Sequence, residues 1–300
     1  MSSAATNRVT PWQGPGLILL AAVLWSTSGL FAKSPPLAEM PLDQRGPVIA
    51  CIRAIFACLL LAPFVDRKRI RWRWALVPMT IAFAAMNLTY VSALTRTTAA
   101  AAIFLQNTAA IWTLILGVLV LGERFEMRNL VAVLLVLVGI VIIVVSDWHA
   151  GQLLGNGLAL GSGLAYAVVV LCLRHLRDES APWLIFLNHL ISACLLIPWL
   201  MTVREVAGPT QWAVAGLMGM VQMALPYVVF ARGVRAVTAQ NAALLTLVEP
   251  VLNPLWVWVF WGEEVSLKTW IGGSCILAGL VARTLWRSSS RANQVVTTVT

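Results

Sequence analysis

Within the apolar run 238–261, TAQNAALLTLVEPVLNPLWVWVFW, Glu249 stands near the middle, with Pro250 beside it and Pro254 one turn on. A carboxyl at that depth is costly in hydrocarbon, and each proline removes a helical hydrogen bond. The run therefore suits a helix that faces protein or water inside a bundle. There the carboxyl is a partner for a substrate amine, a proton site, or a structural lock held by neighbouring helices. The sequence leaves these three open. The prolines free carbonyls near Thr246 and Pro250 and should bend the helix.

Other polar side chains fall inside apolar runs: Asn87 and Tyr90, Gln106 and Asn107, Asn188 and His189, Gln222 and Tyr227, Gln240 and Asn241. Each alone reads as a hydrogen bond between helices; as a group they indicate a polar cavity. Trp25 and Tyr166 offer aromatic walls. The candidate binding set is Trp25, Asn87, Tyr90, Gln106, Asn107, Tyr166, Tyr227, Asn241 and Glu249. There is no HExxH, GxSxG or Walker sequence and no carboxylate-rich metal cluster. Neither an enzyme nor ATP-driven work is expected, nor a cofactor or metal. The five cysteines, without metal-ligand spacing, read as small buried apolar residues.

These residues must be positioned by membrane helices. Of 300 residues, 60% are hydrophobic and 11% charged, with a mean hydropathy of +0.84. Soluble chains are nearer 45–50% apolar and about 25% charged. Ten apolar runs are long enough to span a bilayer or nearly so: 14–33, 47–65, 74–94, 98–121, 130–146, 153–173, 183–203, 212–230, 238–261 and 269–286. The first reads as a retained span, because no small-residue cleavage site follows it. The tail 287–300 is polar and expected to be disordered. Threading the chain through these spans puts fifteen Lys and Arg on the side of the N-terminus and five opposite, with Arg53 inside the second span. That bias places both termini in the cytoplasm. It also accounts for the net charge of +9 without nucleic acid. A lipid bilayer and a small-molecule substrate are the expected partners, with no obligate protein partner.

The halves repeat. Leu121-Gly122-Glu123 and Trp261-Gly262-Glu263 lie 140 positions apart, and at the same offset Thr98-Ala99 meets Thr238-Ala239, and Gly139 meets Gly279. Near the start of each half, Trp25 meets Tyr166. The predicted organisation is 1–146, 147–286 and a tail 287–300. Five spans per copy is an odd number, so the second copy enters from the opposite side. Inverted repeats characterise secondary transporters, with the substrate held near the midplane between halves. Ala109-Ala110 stands where the second copy has Glu249-Pro250, so the proline bend is expected in one half only. The GxxxG spacing of Gly157 and Gly161 predicts close helix contact.

With its Val23-Leu24-Trp25-Ser26-Thr27 run, Leu121-Gly122-Glu123-Arg124, Glu249-Pro250 and Trp261-Gly262-Glu263-Glu264, the chain resembles the ten-helix EamA-type exporters of the drug/metabolite transporter superfamily. Among them it is most similar to the aromatic amino acid exporters. The likeness covers about residues 14–286. It implies an all-α membrane protein of two inverted five-helix repeats in the bacterial inner membrane, exporting amino acids and related metabolites by alternating access. Export of cationic drugs, sugars or nucleotide bases is the alternative within that superfamily. An intramembrane lipid-modifying enzyme is the remote one.

Overall fold

The computed structural model describes residues 13–122, 127, 129–147, 152–203 and 206–297, side chains at 69, 121, 147, 239–240 and 286–297 excepted. Glu123 and Arg124 of the repeated motif, and the side chain of Gln240, therefore lie outside the described residues. Every long element is a helix. The first span is α1 (Gln13–Ser26) and α2 (Ser28–Ala32), separated at Thr27. After a short α3 (Pro35–Ala38) come α4 (Leu42–Leu61) and α5 (Leu76–Arg96). The fourth span is α6 (Ala99–Asn107) and α7 (Ala109–Leu121), followed by α8 (Asn129–Asp147).

The second half opens with α9 (Leu153–His175) and α10 (Ala181–Thr202). Its eighth span passes from α11 (Pro209–Leu217) through a π-helical stretch, Met218–Ala224, into α12 (Leu225–Gly233). The ninth is α13 (Ala239–Thr246) and α14 (Val248–Trp261), and α15 (Leu267–Thr297) closes the chain. Among the described residues, nine helices are long and apolar enough to cross a membrane. The tenth expected run, 269–286, lies within α15. That helix continues to Thr297, so residues 287–297 of the tail expected to be disordered are helical. No Gly or Pro follows Trp286 to stop the helix.

The two copies share their local chemistry. Thr98 caps α6 by accepting from the Ala101 amide at 3.1 Å, and Thr238 caps α13 by accepting from the Asn241 amide at 3.2 Å. Gly122 and Gly262 end α7 and α14 with φ of 65° and 67°, a left-handed turn that a side chain would strain. Packing then interleaves the halves: α5 lies along α9, α4 along α10, and α1 along α12. The run from Ala99 to Leu105 is buried throughout, because its alanines let neighbouring helices approach. Outward, α8 exposes Leu134, Val138, Val141 and Val145, an apolar face fit for lipid.

Two expectations are corrected. Gly157 and Gly161 make no close contact, with nothing within 4 Å of a Cβ built on either. The tight approaches of α9 are instead at Gly155, against Arg96 and Thr97, and at Gly163, against Gln106 and Thr108. These two belong to a different face, so the GxxxG spacing chose the wrong one. The interruption is also duplicated. The ninth span breaks at Leu247, three residues before Pro250, and the fourth breaks at Thr108, its near-equivalent, without any proline. There the Thr108 hydroxyl donates to the Leu105 carbonyl at 2.6 Å and the Asn107 amide donates to the Ile103 carbonyl at 2.8 Å. Side chains that bond their own turn offer the backbone an alternative to the helix. Cys51 and Cys58 are buried as expected, whereas Cys194 is exposed.

Candidate functional site

Three spans are interrupted in their interior, and the breaks gather polar groups at the middle of the bundle. At the first, the Ser26 and Thr27 hydroxyls donate to the Val23 and Leu24 carbonyls at 2.7 and 2.6 Å. The Trp25 carbonyl is left for Gln222, whose side-chain amide donates to it at 3.2 Å. The Trp25 ring meets Tyr227 edge-on with centroids 5.2 Å apart, and Phe230 at 5.3 Å.

Glu249 sits in the first turn of α14, just past the third break, and is half-buried. Among the described residues it has no hydrogen-bond donor and no cation within ion-pair distance. Its electrostatic neighbours include Tyr90, Tyr166 and Tyr227, which are all three tyrosines of the chain. One turn further along the same face, Asn253 is fully buried and donates to Ser28 Oγ at 2.6 Å. Ser28 Oγ in turn lies 3.0 Å from the Tyr90 hydroxyl. Gly29 leaves room for this chain, since a Cβ there would strike Asn253. The Trp256 indole donates to Ser26 Oγ at 2.9 Å, completing the contact of α14 with the first break.

Beside this cluster, a cavity of about 250 Å³ runs from the breaks of the fourth and ninth spans towards Arg174 at the end of α9 and Arg283 in the middle of α15. Its lining includes Asn107, Thr113, Tyr166, Arg174, Leu247 and Arg283. At about 30 Å³ per water that is room for about eight waters, the scale of a small metabolite. Arg283 donates to the Ala110 carbonyl, at the start of α7. The other end of the bundle is closed. Lys33 pairs with Glu263, whose carboxylate accepts from the Ala99 amide at 2.7 Å, while Lys33 donates to the Thr97 carbonyl at 2.7 Å. Thr97 Oγ1 lies 2.7 Å from Asn156 Oδ1, and the Trp261 indole donates to the Leu30 carbonyl at 2.8 Å.

Of the candidate residues, Trp25, Tyr90, Tyr166, Tyr227 and Glu249 are brought together, and Asn107 lines the adjoining cavity. Three are not part of that group. Gln106 donates to Ser162 Oγ at 2.9 Å and joins the fourth span to α9. Asn87 is fully buried, donating to the Ala50 carbonyl and to Ser192 Oγ at 3.0 and 2.9 Å and accepting from Arg53. Asn241 is exposed in the first turn of α13, eight residues or about 12 Å of helical rise before Glu249. His189, fully buried with its ring 4.9 Å edge-on from Phe83, is a packing element.

The sequence reading missed Asn253, Arg53 and the two cavity arginines. Asn253 carried a signal, since it lies four residues after Glu249 and so on the same helix face. Arg53 carried one too: a lone charge in the interior of an apolar span. Arg174 and Arg283 were counted towards orientation because they stand near span ends. The cavity draws on the fourth, sixth and ninth spans and on α15. Trp25, Tyr90 and Tyr227, the candidates from the first, third and eighth spans, do not line it.

Interrupted helices at the centre of an all-helical multi-pass membrane protein are characteristic of secondary transporters. The model of the EamA-like transporter family matches residues 12–145 and again 153–284, so the chain belongs to that family, within the drug/metabolite transporter superfamily. It is 30% identical over 275 residues to an uncharacterized transporter of Archaeoglobus fulgidus, covering 91% of this chain and 96% of the relative. An uncharacterized transporter of Bacillus subtilis, YwfM, is 25% identical, with 88% and 91% covered. A solved structure titled only as the crystal structure of a protein shares the fold at a TM-score of 0.60 and 18% identity, covering 92% of this chain and 99% of that one.

Proposed function

We propose that this transporter exports small zwitterionic metabolites, aromatic amino acids first, across the bacterial inner membrane. It does so as two inverted five-helix repeats, ten spans in all, with both termini cytoplasmic. The observation that carries the reading is Glu249: a half-buried carboxyl at a helix break, without a protein partner among the described residues, one turn before the Asn253–Ser28–Tyr90 chain. A substrate ammonium is the partner such a carboxylate lacks. Arg174 and Arg283 in the adjoining cavity supply donors for a carboxylate, and Trp25, Tyr166 and Tyr227 supply aromatic surface.

The charge bias of the loops puts the cavity on the cytoplasmic side and the Lys33–Glu263 closure outside, which suits loading from within. Alternating access then follows from rearrangement of the two halves around the midplane. No protein partner is needed. The test is efflux of labelled phenylalanine from proteoliposomes carrying the purified chain. Efflux above that of empty liposomes is expected. Its absence under every imposed gradient, with sugars, nucleobases or cationic drugs moving instead, would overturn the amino acid assignment.

A further inference from the structure

Arg53, in the middle of α4, is 1% exposed, and a guanidinium stays protonated in a protein. Buried charges are ordinarily matched by an opposite one, because desolvating an ion is costly. Among the described residues, no carboxylate lies within ion-pair distance of this one. Two side-chain amides meet it instead: it donates to Asn87 Oδ1 and, at 3.1 Å, to Gln222 Oε1. An ionised carboxylate only accepts, so a chain of hydrogen bonds starting at the guanidinium would end there. An amide accepts on its oxygen and donates from its nitrogen. It passes the bond on.

Gln222 passes it to the first break, where its Nε2 donates to the Trp25 carbonyl at 3.2 Å. Of three consecutive carbonyls there, those of Val23 and Leu24 accept from hydroxyls of their own span, Ser26 and Thr27. The third accepts from another span. Because the guanidinium has donors and no acceptor, it admits only Oε1 on its side of the amide, which turns Nε2 towards Trp25. Asn87 is turned in the same way, its Nδ2 donating to the Ala50 carbonyl and to Ser192 Oγ at 3.0 and 2.9 Å. The backbone brings these groups together. Gln222 lies in the π-helical stretch Met218–Ala224, a distortion that recurs at functional sites. One turn earlier, Gly219 lets the eighth span approach α4 so closely that a Cβ would strike the Arg53 carbonyl. The same span continues into α12, whose Tyr227 and Phe230 rings lie 5.2 and 5.3 Å from the Trp25 ring. The eighth span thus holds Trp25 by its carbonyl and by its ring.

Resting on the reading of Trp25 as aromatic surface for the substrate, we infer that Arg53 is a positioning residue: by orienting the Gln222 amide it fixes the Trp25 carbonyl at the first break, and with it the angle at which the indole faces a substrate ring. Arg53 itself touches no substrate. Aromatic pairs favour edge-on or offset geometries over others. An indole held at one angle therefore separates an aromatic from an aliphatic side chain, whereas one free to tilt packs against either.

The test uses the full chain labelled with 5-fluorotryptophan, the Trp25 fluorine resonance being identified by its loss in Trp25→Phe, together with export of phenylalanine and leucine from proteoliposomes. Gln222→Glu is the decisive variant. It gives the guanidinium a carboxylate, which favours folding, and takes away the donor to the Trp25 carbonyl. It should shift or broaden the Trp25 resonance and reduce the preference for phenylalanine over leucine about tenfold, through KM for phenylalanine rather than kcat. Arg53→Met, which frees the Gln222 amide to turn, should do the same. Ser192→Ala is the control: it loosens Asn87 on the far side of Arg53 and should lower the melting temperature without moving either readout. An equal response in Ser192→Ala would make Arg53 a packing element and overturn the inference. An unchanged Trp25 resonance in Gln222→Glu overturns it too, with Arg53→Met deciding if that variant does not fold, as does a shifted resonance with an unchanged preference. Failure of the wild type to export phenylalanine would sink the amino acid reading alone, and the resonance would still decide whether Arg53 places Trp25.

Discussion

At the scale of single residues, the choice left open for Glu249 turns on its partners. A structural lock needs donors from neighbouring helices, and among the described residues none reaches this carboxyl. Glu249→Gln should therefore leave the folded protein intact, with a melting temperature within a few degrees of wild type. It should lower phenylalanine export about tenfold or more, since a charge-assisted hydrogen bond to a buried site contributes about 1.5–3 kcal/mol. A lock would give the opposite pattern, a large drop in melting temperature. Asn253 supplies the contrast one turn away. It anchors Ser28, which lies within bonding distance of Tyr90. Asn253→Ala should destabilise by about 1–3 kcal/mol by leaving buried polar groups unpaired, read as the shift in thermal unfolding in detergent.

At the scale of helices, the sequence reveals spans more readily than interruptions. Hydropathy marks every long helix, because spanning hydrocarbon demands a continuous apolar run. A break is a local contest between backbone and side-chain hydrogen bonds, and proline is its most visible cause. Thr108 breaks the fourth span with a hydroxyl that bonds its own turn, a residue no different in type from threonines inside intact helices. Helix contacts are similarly hidden. Glycines in α9 are easy to see, but which of them face a neighbour depends on a rotation that apolar sequence does not encode. The structure makes the distinction testable. At Gly163 an added Cβ would lie 2.9 Å from the Gln106 carbonyl and 3.0 Å from the Thr108 hydroxyl. Gly163→Ala should therefore cost about 1–3 kcal/mol through overpacking. At Gly161 nothing lies within 4 Å, and Gly161→Ala should be neutral or stabilise by about 0.5–1 kcal/mol. Melting temperatures of the two purified variants decide it; equal shifts would mean that α9 is rotated from the position described.

At the scale of the whole molecule, the repeat was legible as recurring motifs. The asymmetry between the two ends of the bundle was not, because it depends on how the halves are tilted. The end of the bundle that the proposed orientation puts outside is tied by Lys33 and Glu263, with Glu263 also capping the fourth span at the Ala99 amide and Lys33 reaching the Thr97 carbonyl. These contacts join the first span, the junction of the third and fourth, and the end of the ninth, so the outer ends cannot part while they hold. States of a transporter differ by a few kcal/mol, and a tie of this kind is of the same order. Glu263→Ala removes both the ion pair and the cap, leaving Lys33 half of its contacts. It should raise the fraction of molecules open to the outside about fivefold or more. A cysteine in place of Ser28, fully buried at the Tyr90–Asn253 chain, reports that opening in a background freed of the native cysteines. Its labelling by a membrane-impermeant maleimide added outside should accelerate in Glu263→Ala. Labelling at the wild-type rate would show that the Lys33–Glu263 tie does not hold the outer end closed, and that packing of the first span against α14 does so alone.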